Sequence, residues 1–285
     1  GRDKVIICGY HGWADWSMVD TDRNAGIPLR LLELNERIDL DDPRLEKRLA
    51  TRGDSIAAVI VEPESRPDQL RWLREQCDKT GTVLIFDEVI TGFRFDLGGA
   101  QNLYGVMPDL ATFGKAMANG MPLSALVGRK DIMRRMEPPD NIFYSGTMFG
   151  ETLSIAAAIA TIKKLQRDFV IPKLWKIGSY LAEEVHKLLD LHGMETTITL
   201  YGQPPFLRIR FRDDQIAALF RKEMVASGTL IVASHNLCAS HGPSEIKRIL
   251  RSYDHALGII RDAIDKGDIA ERLAGATVGP MVRAQ

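Results

Sequence analysis

Cysteine is scarce in this sequence. Cys8, Cys77 and Cys238 are the only three among 285 residues, odd in number, widely separated and without CxxC or metal-ligand spacing. That excludes a disulfide scaffold or a zinc ribbon and suits free, mostly buried thiols in a reducing compartment, so a cytoplasmic location is expected. Charge of one sign is also lacking: 37 Lys+Arg stand against 38 Asp+Glu, a net charge of −1. A binder of phosphate backbones needs a basic excess or a basic stripe, and nucleic acid is not expected as a partner. No apolar run approaches the roughly 18 residues of a membrane span, which excludes the membrane as a partner on this reading. His235 and His241 stand six residues apart with no third ligand at metal spacing, so they are read as making ordinary polar contacts and no metal is expected.

Four short apolar runs are spaced as α/β architecture spaces them: Val5–Cys8, Ala57–Val61, Val83–Phe86 and Leu123–Val127. Between the second and third, Leu70, Leu73 and Cys77 recur at helical spacing and Gly81 follows as a stop, giving a βαβ unit. Right-handed crossovers and strands buried on both faces then predict a mostly parallel central sheet flanked by helices. Residues 151–167 and 172–191 read as long helices, the second with Pro172 in its first turn and Gly193 just past its end. Beyond them Leu207-Arg208-Ile209-Arg210-Phe211 alternates like a half-exposed strand. A helix near 215–227, a strand near 229–233 and a helix near 244–265 follow. The expected organisation is a large domain over 1–168, then an interdomain helix and a smaller C-terminal α+β domain over 169–285. The tail 266–285 is weakly patterned.

The run Val83-Leu84-Ile85-Phe86-Asp87-Glu88 delivers two carboxylates at the C-terminal end of a strand, where open α/β sheets place their ligands. Successive strand residues point to opposite faces, so one carboxylate looks inward and needs a cation or hydrogen-bond donors to compensate it; on these two residues alone a buried structural salt bridge is expected. Further on, Lys115 sits among small and apolar residues between Gly114 and Ala116. A lysine in such surroundings is either desolvated, which lowers its pKa and exposes a neutral nucleophilic amine, or snorkels to the surface, the default for a single lysine.

Six blocks occur in order: Gly9-Tyr10-His11-Gly12-Trp13, Val61-Glu62-Pro63, Phe86 to Arg94, Gly98-Gly99-Ala100-Gln101, Pro108 to Gly128, and Ser145-Gly146-Thr147. Together they resemble the class-III aminotransferases of the fold-type-I pyridoxal 5′-phosphate (PLP) enzymes, most closely the branch of glutamate-1-semialdehyde aminomutase. The resemblance implies that Lys115 forms the internal aldimine with PLP and then moves a proton as base and acid. It implies that Asp87 partners the pyridine nitrogen and keeps the ring an electron sink. Val89 would pack against the ring on the face of Asp87. Tyr10 would stack on the other face with His11 beside it. Glu62 corresponds to an active-site acid, with a satisfied strand-end carboxylate as its plain alternative, and Thr147 to a residue binding the cofactor phosphate across a subunit interface, which implies a homodimer with shared sites. Read without the resemblance, Ser145-Gly146-Thr147 is a cap for the helix beginning near Glu151.

The implied reaction moves an amino group between an amine or amino acid and a carbonyl acceptor, with an intramolecular, aminomutase-like transfer as the nearest alternative. Two departures stand out. Gly1 precedes a buried run by only a few residues, so the family's upstream phosphate-binding loop is expected to be missing. An inactive truncated fragment or dimerisation partner is therefore the third reading. Ala233-Ser234-His235-Asn236-Leu237 replaces the acidic segment of the aminomutases, which argues against strict glutamate-1-semialdehyde specificity.

Overall fold

The computed structural model describes residues 1–273 other than Ser65 and Asn141. The described residues divide into two compact units, Gly1–Asp168 and Phe169–Leu273.

The first unit is built on a six-stranded sheet in the order β2-β1-β3-β4-β5-β6. The strands are β1 (Lys4–Cys8), β2 (Asn35–Arg37), β3 (Ile56–Val61), β4 (Val83–Asp87), β5 (Leu110–Phe113) and β6 (Ala125–Gly128). All neighbours are parallel except β5 and β6. Ile6, Ile7, Val59, Leu84 and Phe86 are buried, as expected of strands covered on both faces. Between β3 and β4 runs the helix Pro67–Thr80. Proline opens it, Leu70, Leu73 and Cys77 are buried, and Gly81 ends it with φ +66°.

Two strands of this sheet escape a reading of the pattern. β2 is three polar or charged residues, placed only by its ladder to β1. β5 is short and sits just ahead of Gly114, so its signal merges with that of the loop. The run expected at Leu123–Val127 forms its ladder over Ala125–Gly128, because the Leu123 N–H is tied to Met121 in a turn.

The second unit holds a three-stranded antiparallel sheet, β7 (Ile198–Gln203), β8 (Phe206–Phe211) and β9 (Ser234–Asn236). Three helices, Val170–His192, Asp214–Ala226 and Pro243–Lys266, belong to it. The strand expected near 229–233 lies instead at Ser234–Asn236: Leu230 and Val232 are exposed, and pairing with β8 starts at Arg208 opposite Ser234. Within the weakly patterned tail, Ile269–Arg272 forms a helical turn, and Arg272 is paired with Asp262 and Asp268. Residues 274–285 of that tail lie outside the described residues.

Candidate active site

The C-terminal ends of β1, β3, β4 and β5 form one edge of the sheet, and six of the seven candidate residues lie on or just beyond it. Asp87 ends β4. Its Oδ2 is 2.8 Å from His11 Nδ1, while Oδ1 accepts the Val89 N–H at 3.2 Å and the Thr112 hydroxyl at 3.3 Å. Burial pushes the Asp87 carboxyl pKa up, but the hydrogen bond and charge of His11, with the donors of Val89 and Thr112, outweigh it. The group is held below the usual carboxylate range.

The His11 side chain is 1% exposed and that of Asp87 14%. His11 Nε2 lies 3.2 Å from the Cys8 carbonyl oxygen. A carbonyl and an ionised carboxylate are both acceptors, so the ring satisfies the two together only as a doubly protonated imidazolium. Asp87 and His11 form a charge-assisted pair sunk into the strand ends.

Glu88, the next residue, is the inward carboxylate. It is fully buried and is met by donors rather than by a cation. Oε2 accepts the Ala100 N–H at 2.8 Å and the Thr91 hydroxyl, and Oε1 accepts the Gln101 N–H at 2.8 Å. The bare expectation of a structural salt bridge is thereby corrected: this carboxylate caps the short helix Ala100–Tyr104. The alternation of strand side chains separates the two acids, one facing the site and one facing the core.

Lys115 follows β5 with φ +38°. The Cα of Thr112 is paired with that of Asp87, so Lys115, three residues on, lies within about 15 Å of it by chain length. Val89 links the two segments: a Cβ on Gly114 would stand 3.5 Å from Val89 Cγ1. Of the two readings of Lys115, the desolvated one is not met and the surface one is, because its side chain is exposed. Small neighbours expose the lysine as readily as they bury it, since they leave the space around it open.

Tyr10 is half-exposed, and its backbone N–H donates to Glu62 Oε2 at 3.0 Å. Glu62 thus serves as an acceptor at the end of β3 that fixes the turn after β1. Thr147 stands apart, in an exposed segment with Phe143, Tyr144 and Phe149. The cap of helix Thr152–Arg167 is Glu151, accepting from Leu153 N at 2.6 Å and Ser154 N at 2.8 Å, so Ser145-Gly146-Thr147 does not cap it.

Thr112 and Arg37 were not singled out from the sequence, although both bear on this edge. Thr112 carries no signal of its own in the sequence, because β5 shows no separate pattern; its place beside Asp87 comes from the ladder between β4 and β5. Away from the edge, His235 bonds Tyr253, His241 stands by Cys238, and Arg208 and Arg210 lie over the rings of Phe206 and Tyr201.

Comparison with known proteins decides the family. The family Aminotransferase class-III matches residues 11–257. The chain belongs to the class-III aminotransferase family. It is 37% identical over 233 residues to a 3-aminobutyryl-CoA aminotransferase of Cloacimonas acidaminovorans, covering 78% of this chain and 54% of that protein. It is 34% identical over 222 residues to a glutamate-1-semialdehyde 2,1-aminomutase of Desulfatibacillum aliphaticivorans, covering 71% and 52%. The chain spans about half the length of these curated relatives. Among solved structures, an omega-transaminase from Sphaerobacter thermophilus superposes with a TM-score of 0.83 at 23% identity, covering 91% of this chain and 69% of that one. A transaminase with PLP bound gives 0.82 at 22%, covering 92% and 68%. These structures establish the PLP-transaminase fold for this class-III chain, a mostly parallel sheet with helices and a smaller antiparallel sheet.

Proposed function

We propose that this class-III chain is the part of a PLP-dependent aminotransferase that holds the cofactor ring, and that the whole protein moves an amino group between an amine or amino acid and a carbonyl acceptor. The observation that carries this reading is the Asp87–His11 pair at the end of β4, one strand from the segment that leads to Lys115. PLP supplies an aldehyde that captures amines and a ring that, with its nitrogen protonated, takes up the electron pair left when a proton departs.

The residues present fit that group. Asp87 is an ionised carboxylate, partly open and backed by a cation on its far side, suited to holding a proton on a ring nitrogen. Val89 and Tyr10 offer an apolar contact and an exposed aromatic face at the same edge. Lys115 Nζ would bind the aldehyde and, once displaced by a substrate amine, carry the proton between two carbon positions. Glu62 holds the backbone of Tyr10. Thr147 is proposed to meet the cofactor phosphate of a second copy; the exposed aromatic residues around it support a homodimer as the partner state. The domain division proposed from the sequence, at residue 168, assigns all these residues to the cofactor-holding part.

The aminomutase reading rests on the 34% identical relative and shares the same residues. An external keto acid separates the two, because an intramolecular transfer proceeds without consuming one.

The test is direct. Purified chain is mixed with PLP, and the yellow of a lysine-bound cofactor is followed before and after borohydride, with the reduced label located by mass spectrometry. Colour in wild type, its absence in K115A and a label on Lys115 are expected. A wild-type chain that stays colourless at saturating PLP leaves the reading of an inactive fragment or dimerisation partner in its place.

A further inference from the structure

Arg37 is the last residue of β2, an edge strand, yet its guanidinium reaches into the loop after β1. Nε and Nη2 grip Asp20 at 3.0 and 2.9 Å, Nη2 also donates to the Ser17 carbonyl at 2.6 Å, and Nη1 donates to the Gly9 carbonyl. The side chains of Arg37 and Asp20 are 12% and 16% exposed, so the fork is largely out of water. Asp20 neutralises the guanidinium locally, which leaves His11 as the cation beside Asp87.

The oxygen that Arg37 holds and the N–H that Glu62 holds belong to one peptide unit, Gly9–Tyr10. That unit is gripped at both ends, from β2 and from β3. Gly9 takes φ +107°, and a Cβ there would stand 2.5 Å from Glu62 Oε2, so the chain passes through the grip only as glycine. The plane of this peptide sets the direction in which the backbone delivers Tyr10 and then His11.

We infer that Arg37 is a positioning residue for the site: by fixing the Gly9–Tyr10 peptide plane it keeps His11 on Asp87 and Tyr10 at the sheet edge. The inference rests on the proposed function for its consequence at the cofactor, but not for its consequence at His11. A lysine keeps the charge and loses the planar fork that reaches Asp20, Ser17 and Gly9 together.

The experiment compares wild type, R37K and R37Q by 15N NMR of the His11 ring, assigned with H11Q, and by PLP titration. Far-UV circular dichroism reports folding. In wild type both ring nitrogens are expected to carry the shifts of a doubly protonated imidazole. In R37K and R37Q the fold persists, the His11 signature shifts or broadens, and the dissociation constant for PLP rises about tenfold, the scale of one charge-assisted hydrogen bond. Unchanged His11 signals in folded R37Q overturn the inference. If R37Q does not fold, R37K decides it: a wild-type His11 signature there reduces Arg37 to a charge partner of Asp20 and equally overturns it. A wild type that does not bind PLP sinks the proposed function instead, and the His11 signals still judge Arg37.

Discussion

Replacing Gly99 by alanine should damage the first unit more than any loss of packing could explain. Gly99 has φ +81° and ψ −171°, a region that side-chain-bearing residues scarcely enter, at a cost of about 1–3 kcal/mol. The added Cβ would stand 2.6 Å from Cδ, Oε1 and Oε2 of Glu88. That carboxylate cannot retreat cheaply, because Thr91, Ala100 and Gln101 hold it and it is fully buried. Losing one hydrogen bond to a charged acceptor adds about 1.5–3 kcal/mol, so G99A is expected to cost roughly 2.5–6 kcal/mol. Urea unfolding measures the total, and hydrogen exchange at the Ala100 and Gln101 amides locates it. The pH arm has a definite sign. Burial raises the Glu88 pKa above its ordinary 4.5, the Asp87 charge adds to the rise, and the Thr91, Gln101 and Ala100 donors only partly oppose it. A raised carboxyl contributes stability fully below the ordinary glutamate range and loses it as pH climbs through the raised value. E88Q should flatten that part of the profile. A G99A penalty under about 1 kcal/mol, with both amides still protected, would refute the assignment of Glu88 as the fixed cap of the helix Ala100–Tyr104.

Ellman's reagent should titrate one thiol of three in the native chain. Cys238 is exposed with Sγ 3.2 Å from His241 Nδ1, whereas burial pushes Cys8 and Cys77 up to about 12; all three should react only after denaturation. In the second unit, burial, with a smaller contribution from the charge of His241, pushes His235 down to about 4 from 6.5. The unfolded chain therefore binds a proton that the folded one refuses between those values, and stability should fall by about 3 kcal/mol as pH drops from 6.5 to 4. Acid unfolding of H235Q should lack that slope; an unchanged slope would place its origin in another group.

The fold was legible wherever burial wrote itself into composition. β1, β3 and β4 are apolar because both faces are covered, and Leu70, Leu73 and Cys77 keep the helical period of the face they bury. β2 and β9 were not legible, since three-residue strands carry too few side chains for a period to show. β7 was missed for a different reason: Gly202, at φ +96°, interrupts an alternation that the ladder to β8 nevertheless completes. Of the site, the adjacency of Asp87 and Glu88 and their opposite facing followed from strand geometry alone. The choice between a desolvated and a surface Lys115 did not, because surroundings in sequence do not fix surroundings in space.

The two acids at the end of β4 show how the fold divides one sequence signal into two jobs. Both carboxylates are partly or wholly removed from water, and both accept several donors, yet their pKa values move apart. Glu88 faces only neutral donors and the adverse charge of Asp87, so burial prevails and the group is raised. Asp87 has a cation, and that cation is held by a turn whose leading peptide is gripped from two other strands. An ionised acid at the sheet edge is therefore a property of β1, β2, β3 and β4 together. This places the sensitive positions of the site at Gly9, Arg37 and Glu62 as well as at Asp87, although none of the three needs to touch a ligand to matter.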